Sequence, residues 1–184
     1  MKRVFIALKV EAGETLIRII SLLKSGLASG NIRWTATDNI HITLVFIGDT
    51  EDRMIAAINS MLKDKCEGSG TFELILRGSG VFKSLSDPRI IWTGIDPSEK
   101  LMQLNSIIVN GLRETGTKIE ERPFNPHLTL GRIKHLNDNT ILKPLLDRFQ
   151  NTVIQKVPVN EVILYESILK PEGPFYKTIN KFNL

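Results

Sequence analysis

Cysteine is almost absent from this chain, which has one such residue, Cys66, in 184. A single cysteine excludes an internal disulfide framework and fits a reducing compartment, so a cytoplasmic location is expected. Its charged surroundings, K-D-K-C-E-G-S-G, predict an exposed residue at a helix end rather than a catalytic thiol. Long apolar runs are missing too. None approaches the roughly 20 residues that span a bilayer, so no membrane partner is expected.

The chain also lacks the local signatures of several chemistries. It contains no H-x-x-x-H, C-x-x-C or D-x-D cluster, no glycine-rich nucleotide loop and no G-x-S-x-G nucleophile motif. We therefore expect no metal site and no cofactor. A net charge of +4 is compatible with an anionic ligand, but 24 basic against 20 acidic residues do not make a nucleic-acid-binding arm. His135, in the polar stretch I-K-H-L-N-D, is predicted to be exposed.

Hydrophobic periodicity predicts that strands and helices alternate along the chain. Apolar residues at helical spacing indicate helices at 13–25, 54–62, 98–114 and, interrupted near Pro144, 139–149. Alternating or continuous apolar runs indicate strands at 4–9, 41–47, 71–82, 89–95, 157–167 and 174–180, and another strand starts at His127. The order β-α-β-α-β followed by β-α-β-α-β-β predicts a duplicated α+β fold, with 1–184 forming a single domain of two packed lobes.

One tetrapeptide, H-x-T-L, occurs in each half of the chain. N-I-H-I-T-L-V-F-I-G contains His41 and Thr43, and F-N-P-H-L-T-L-G-R contains His127 and Thr129. In a chain with three histidines, 13 threonines and 22 leucines, two chance occurrences are expected on the order of once in five thousand sequences. Residues i and i+2 of a strand face the same side. Each histidine is therefore expected beside its threonine, with the intervening aliphatic residues facing the core.

Two lobes that present these strands to each other would form a cleft with two imidazoles and two hydroxyls. Imidazole acts as base or acid near neutral pH without large pKa tuning, so one histidine can deprotonate a water while the other protonates a leaving oxygen on phosphorus. The hydroxyls of Thr43 and Thr129 can donate hydrogen bonds to the phosphoryl oxygens. The alternative is that each pair is only the solvated face of an amphipathic strand, which explains the polarity but not the repeated order.

The positions five residues past each histidine are also candidates for substrate contact. Phe46 offers a ring on which a base can stack, and Arg132 offers a guanidinium that can hold phosphate. Strict alternation would point Arg132 away from His127. A β-bulge at Gly131 would turn it back, so this assignment depends on such a bulge. The alternative is a core phenylalanine and a surface arginine.

These residues resemble the two-histidine phosphoesterase superfamily, whose paired H-x-T-x signatures match H-I-T-L-V-F-I-G and P-H-L-T-L-G-R. The surrounding chain, including R-V-F-I-A-L, P-R-I-I-W-T-G-I and V-I-L-Y-E-S-I-L, is similar over nearly its full length to the RNA 2′,3′-cyclic phosphodiesterase branch, also called 2′-5′ RNA ligase. The resemblance implies a bilobal α+β fold, with two antiparallel sheets around a central cleft and helices packed outside.

The resemblance also implies an activity. The enzyme would open a 2′,3′-cyclic phosphate to a 2′-phosphomonoester without a metal, with a weak reverse reaction that joins RNA ends through 2′-5′ linkages. It implies catalytic, phosphate-binding or substrate-contacting roles for six positions: His41, Thr43, His127, Thr129, Phe46 and Arg132. The implied partner is an RNA with a 2′,3′-cyclic phosphate end, such as half of a cleaved tRNA. A monomer is expected, because no apolar stripe is left over once the two lobes are assigned.

A product with its phosphate on O2′ requires O3′ as the leaving group. We assign His41 as the general acid and His127 as the general base, and the duplicated geometry leaves the reverse assignment open. Two other functions stay open as well. One is a cyclic phosphodiesterase acting on a small nucleotide or ADP-ribose cyclic phosphate. The other is a module that binds nucleotides or RNA ends without turnover, although a pure binder has no need of two proton-transfer groups.

Overall fold

Helices are interspersed among strands along the chain. The structure, a computed structural model, describes residues 1–120, 122–171 and 173–184. The strands are β1 Lys2–Lys9, β2 Asn31–Trp34, β3 His41–Thr50, β4 Phe72–Lys83, β5 Pro88–Ile95, β6 His127–His135, β7 Val153–Val159, β8 Glu161–Lys170 and β9 Gly173–Asn183. The helices are α1 Glu14–Gly26, α2 Asp52–Cys66, α3 Glu99–Glu114 and α4 Leu142–Asp147, with a 3₁₀ helix at Thr37–Asn39. Within the described ranges, no helix is both long and apolar enough to cross a bilayer.

The strands form one antiparallel sheet in the order β7-β4-β5-β6-β3-β1-β8-β9, and β2 pairs with the far end of β6. The two halves of this sheet meet where Ile42 of β3 pairs with Leu128 of β6. The predicted α+β class with antiparallel strands is confirmed. The two sheets implied by the resemblance are joined through that pairing into a single curled sheet of nine strands.

Each half of the sheet takes strands from both halves of the sequence. β8 and β9, from the end of the chain, extend the half that contains β1 and β3. β4, from the first half of the chain, pairs with β5 and β7. The series β3-β1-β8-β9 is thus matched by the series β6-β5-β4-β7, and the two H-x-T-L strands occupy equivalent places beside the junction.

The main core lies between the helices and one face of the sheet. Val4, Ile6 and Leu8 of β1 point into it together with the apolar sides of the long helices. A separate small cluster on the opposite face consists of Phe5, Ala7, Ile163 and Tyr165. Because the helices cover one face, the other face is left for the candidate site.

Apart from shifts of a few residues at the ends of elements, four predictions differ from the structure. β2 was not predicted, because four residues carry too little periodicity. The apolar run 157–167 is broken at Asn160 between β7 and β8, and α4 continues through Pro144, which lies in its first turn. The prediction of an exposed Cys66 is wrong. It is 0% exposed in the main core, and this burial raises the pKa of the thiol to about 11.

Candidate active site

The two H-x-T-L motifs lie on adjacent strands with the predicted alternation. In β3, Ile42 and Leu44 are buried in the core, while His41 and Thr43 are half-buried on the opposite face. β6 repeats the pattern, with His127 and Thr129 half-buried and the leucines between and after them buried. Each histidine therefore shares a face with its threonine.

The junction of the sheet halves brings the two motifs together. Ile42 pairs with Leu128, so each member of the pair is flanked by its own histidine and threonine. Because the strands are antiparallel, the histidine of one motif lies toward the threonine of the other. The two histidines also interact electrostatically, since the charge of His127 contributes to lowering the pKa of His41. Two imidazoles and two hydroxyls therefore converge on one face of the sheet.

Both imidazoles are held by the same kind of hydrogen bond. Nδ1 of His41 lies 2.6 Å from the carbonyl oxygen of Asn39, and Nδ1 of His127 lies 2.8 Å from that of Asn125. A carbonyl only accepts, so Nδ1 carries the hydrogen in each ring. Nε2 is then the nitrogen left for chemistry, a base in the neutral ring and an acid in the imidazolium.

Burial makes both imidazoles harder to protonate. The pKa of His41 is lowered mainly by desolvation. The hydrogen bond to Asn39 opposes this effect, and the charges of Arg132 and His127 add to it. The pKa of His127 is also lowered mainly by desolvation. The hydrogen bond to Asn125 opposes this effect, and the charge of Arg132 adds to it. Without an anion in the cleft, the neutral form of both rings is favoured.

A bulge in each strand turns the fifth residue back to the histidine face. In β6, the pairing with β5 shifts between Thr129 and Gly131, so the bulge predicted at Gly131 is present. Arg132 is exposed beyond it, and its charge contributes to lowering the pKa of both histidines. In β3, the pairing with β1 shifts between Thr43 and Val45, and Phe46 beyond it is 44% exposed. The alternative of a core phenylalanine is therefore wrong.

Aromatic side chains that sequence reasoning did not select form walls beside the histidines. The ring of His41 contacts Phe5 at 5.1 Å and Tyr176 edge-on at 5.0 Å, measured between centroids. His127 meets Phe82 edge-on at 4.7 Å, and Phe82 leads on to Trp92 at 5.4 Å. The alternation in these strands was readable from the sequence. The aromatic residues beside each histidine could not be predicted from the sequence, because the exchange of β4, β8 and β9 between the halves of the sheet decides which rings reach which histidine.

Two cavities differ in their relation to the histidines. One of about 140 Å³ adjoins His41 and is lined by residues of β1, β8 and β9 and of the segment before β3, including Asn39 and Tyr176. A larger one of about 490 Å³ lies between α2 and β9 and contains neither motif histidine. We take the smaller cavity as part of the candidate site, because His41 lines it.

The described residues contain no group of three or more His, Cys, Asp or Glu placed to hold a metal ion. His135 is exposed at the end of β6, as predicted. Independence of metal and cofactor stays a prediction, to be tested with a chelator.

Comparison with known proteins gives consistent matches over most of the chain. A family model described as the 2′-5′ RNA ligase superfamily matches residues 33–169. The RNA 2′,3′-cyclic phosphodiesterase of Methanothermobacter thermautotrophicus is 32% identical over 184 residues, which cover 99% of this chain and 98% of that protein. The protein of the same name from Thermotoga maritima is 33% identical over 180 residues, with 96% of this chain and 92% of that one covered.

Solved structures share the fold. TT0787 of Thermus thermophilus superposes with a TM-score of 0.81 at 24% identity, covering 99% of this chain and 97% of that one. LigT of E. coli, solved in complex with 3′-AMP, superposes with a TM-score of 0.69 at 22% identity, covering 100% and 97%. At these identities the likeness concerns the fold alone.

Proposed function

This chain belongs to the 2′-5′ RNA ligase superfamily, and we propose that it hydrolyses 2′,3′-cyclic phosphates at RNA ends to 2′-phosphomonoesters. The observation that carries the proposal is the matched pair of histidines, each held through Nδ1 by a backbone carbonyl two residues before it. This arrangement leaves two Nε2 atoms for proton transfer on one face of the sheet. The names of the relatives from Methanothermobacter thermautotrophicus and Thermotoga maritima supply the substrate class.

The reaction needs one histidine in each protonation state. Neutral His127 accepts a proton from water through Nε2 as the water oxygen forms its bond to phosphorus. The bond from phosphorus to O3′ breaks in line, and the imidazolium of His41 gives its Nε2 proton to O3′. The products are a 2′-phosphomonoester and a free 3′-hydroxyl. Attack by the 5′-hydroxyl of a second RNA in place of water would instead form a 2′-5′ linkage, which is the proposed reverse of cleavage.

The remaining predicted residues hold the phosphate. Thr43 and Thr129 donate hydroxyl hydrogen bonds to the two non-bridging oxygens, whose charge persists through the transition state. Arg132 neutralises that charge, and its exposure beyond the bulge together with the effect of its charge on the pKa of both histidines supports this role. Phe46 contacts a base. An anion in the cleft also raises the pKa of both histidines, so the substrate itself favours protonation of the acid.

We propose that the partner is an RNA end, such as half of a cleaved tRNA, and that the protein acts as a monomer without metal or cofactor in the cytoplasm. A small cyclic nucleotide is the second candidate substrate, because the cavity beside His41 is small, about 140 Å³. Comparing kcat/KM for a cyclic mononucleotide and an RNA separates the two.

The proposal is tested by incubating the purified protein with an RNA that ends in a 2′,3′-cyclic phosphate, in EDTA, and identifying the new end by ³¹P NMR. We expect a 2′-phosphate. Formation of a 3′-phosphate would contradict the choice of leaving group, and tight binding with an intact cyclic phosphate would favour the binding module instead.

A further inference from the structure

Arg3 lies over the exposed ring of Phe46 on the same face of the sheet as the histidines. Its guanidinium carbon is 5.0 Å from the ring centroid. In β1, Val4, Ile6 and Leu8 point into the main core, so Arg3 shares the other face with Phe5, whose ring contacts His41. The guanidinium is therefore held by stacking on a ring that already belongs to the candidate site.

The guanidinium of Arg3 forms no ion pair within the part of the chain that the structure describes. Asp49 pairs with Arg3 in the strand register, yet no carboxylate among the described residues forms an ion pair with Arg3. The lysines that line the cavity beside His41 are different, because Lys9 meets Glu11 at 3.0 Å and Lys181 meets Glu161 at 2.8 Å. An exposed guanidinium that stacks on an aromatic ring and forms no ion pair within the described ranges is suited to an anionic ligand.

Arg3 and Arg132 stand on opposite sides of the histidine pair. β3 and β6 run antiparallel through the pairing of Ile42 with Leu128. Beyond Thr129, β6 therefore runs toward the start of β3, whereas β3 runs the other way toward Phe46. Phe46 is three residues past Thr43, but the bulge between them leaves a rise of two paired positions, about 7 Å. One cyclic phosphate at the histidines can engage Arg132, which leaves Arg3 for a second anionic group.

We infer that Arg3, stacked on Phe46, binds a backbone phosphate of the RNA chain upstream of the cyclic end, so that the site prefers RNA over cyclic mononucleotides. The inference rests on the proposed function and names its substrate class. A mononucleotide 2′,3′-cyclic phosphate has no second phosphodiester and cannot make this contact. The ring of Phe46 holds the guanidinium in place and offers a surface on which an unpaired base can stack.

The test measures kcat/KM for a short RNA with a 2′,3′-cyclic phosphate end and for a cyclic mononucleotide, in the wild type and in R3A. We expect kcat/KM for the RNA, divided by kcat/KM for the mononucleotide, to fall about tenfold in R3A. This is the effect of one lost hydrogen bond to a charged group. The slope of log kcat/KM for RNA against log salt should become shallower by about 0.7, the value for one contact to single-stranded nucleic acid. R3K should give an intermediate ratio, since it keeps the charge without the planar fork.

R18A is the matched control, because Arg18 is an exposed arginine on α1, in the layer that covers the other face. It should keep the wild-type ratio and salt slope. An unchanged ratio in R3A, or an equal fall for both substrates, would overturn the inference while the proposed function stood. A wild type that opens neither substrate would overturn the proposed function and this inference together. Thermal melting of R3A checks that the variant is folded.

Discussion

At the scale of single residues, two backbone carbonyls decide which imidazole nitrogens can do chemistry. The carbonyls of Asn39 and Asn125 take the Nδ1 hydrogens, so Nε2 of each histidine is free. The two rings are equivalent in this respect but differ in their neighbours. His41 lies against Tyr176, whose hydroxyl pKa is raised by burial, while His127 lies against Phe82, which has no hydroxyl.

The lowered pKa values of both histidines predict an acidic optimum for kcat/KM. The productive free enzyme has one histidine protonated and one neutral, so kcat/KM peaks between the two pKa values. Desolvation lowers the pKa of each histidine below the usual value of about 6.5. The protonated form of the acid is therefore lost as the pH rises through these lowered values. We expect a bell with its maximum below pH 6.5. The kcat profile should be displaced upward, because bound phosphate raises both pKa values. A flat profile, or a kcat/KM maximum above pH 7.5, would contradict the mechanism.

The assignment of His41 as acid predicts a leaving-group effect. H41A should recover activity on a substrate in which sulfur replaces O3′, since a thiolate leaves without protonation, whereas H127A should not. The measurement compares the rates of both variants on the oxygen and sulfur substrates. Recovery by H127A alone would reverse the two roles.

At the scale of elements, the bulges decide what the fifth residue after each histidine can reach. The bulge in β6 was predictable, because a glycine stands at the required position. The bulge in β3 was not, since Leu44 and Val45 carry no turn residue and both are simply buried. The long helices, such as α3, were predictable from periodicity. The side chain of Ser98 caps the N-terminus of α3 and accepts a hydrogen bond from the Leu101 amide at 3.3 Å.

Because Trp92 packs against Gly80 of β4 beside His127, we expect substitution of this glycine to destabilise the protein. A Cβ at Gly80 would lie 2.6 Å from Cη2 of Trp92 and also meet Cζ2, so the indole that contacts Phe82 must shift. We expect G80A to lower the free energy of unfolding by about 2 kcal/mol in urea titrations, as overpacking does. In a W92L background the same change should cost little, because the obstructing atoms are gone. An equal cost in both backgrounds would show that Trp92 is not the cause.

At the scale of the whole molecule, the sheet is the feature that the sequence could not predict in full. Periodicity gave the order of elements and the equivalence of the two H-x-T-L strands. Which strands pair depends on long-range packing. The exchange of β4, β8 and β9 between the two halves of the sheet could therefore not be predicted from the sequence. The aromatic walls depend on that exchange. The site residues named from the motifs needed only local alternation and one bulge in each strand, of which the bulge in β6 was predictable.

The buried thiol predicts that Cys66 reports on opening of the whole molecule. Its pKa is raised to about 11 and its side chain is 0% exposed, so little thiolate is present and reagents cannot reach it. We expect modification by a thiol reagent at pH 8 to be slow in the native protein and fast in denaturant, with a native rate that follows the unfolding equilibrium. Rapid labelling of the native protein would contradict the packing of α2.

The measurement that tests the central claim most directly is hydrolysis of an RNA 2′,3′-cyclic phosphate in EDTA by the wild type, H41A, H127A and the double variant. Two histidines acting as one acid–base unit predict that the wild type is active, that each single variant loses about 10³-fold in kcat, and that the double variant is little slower than either. Full activity in either single variant, or loss of wild-type activity in EDTA, would contradict the account.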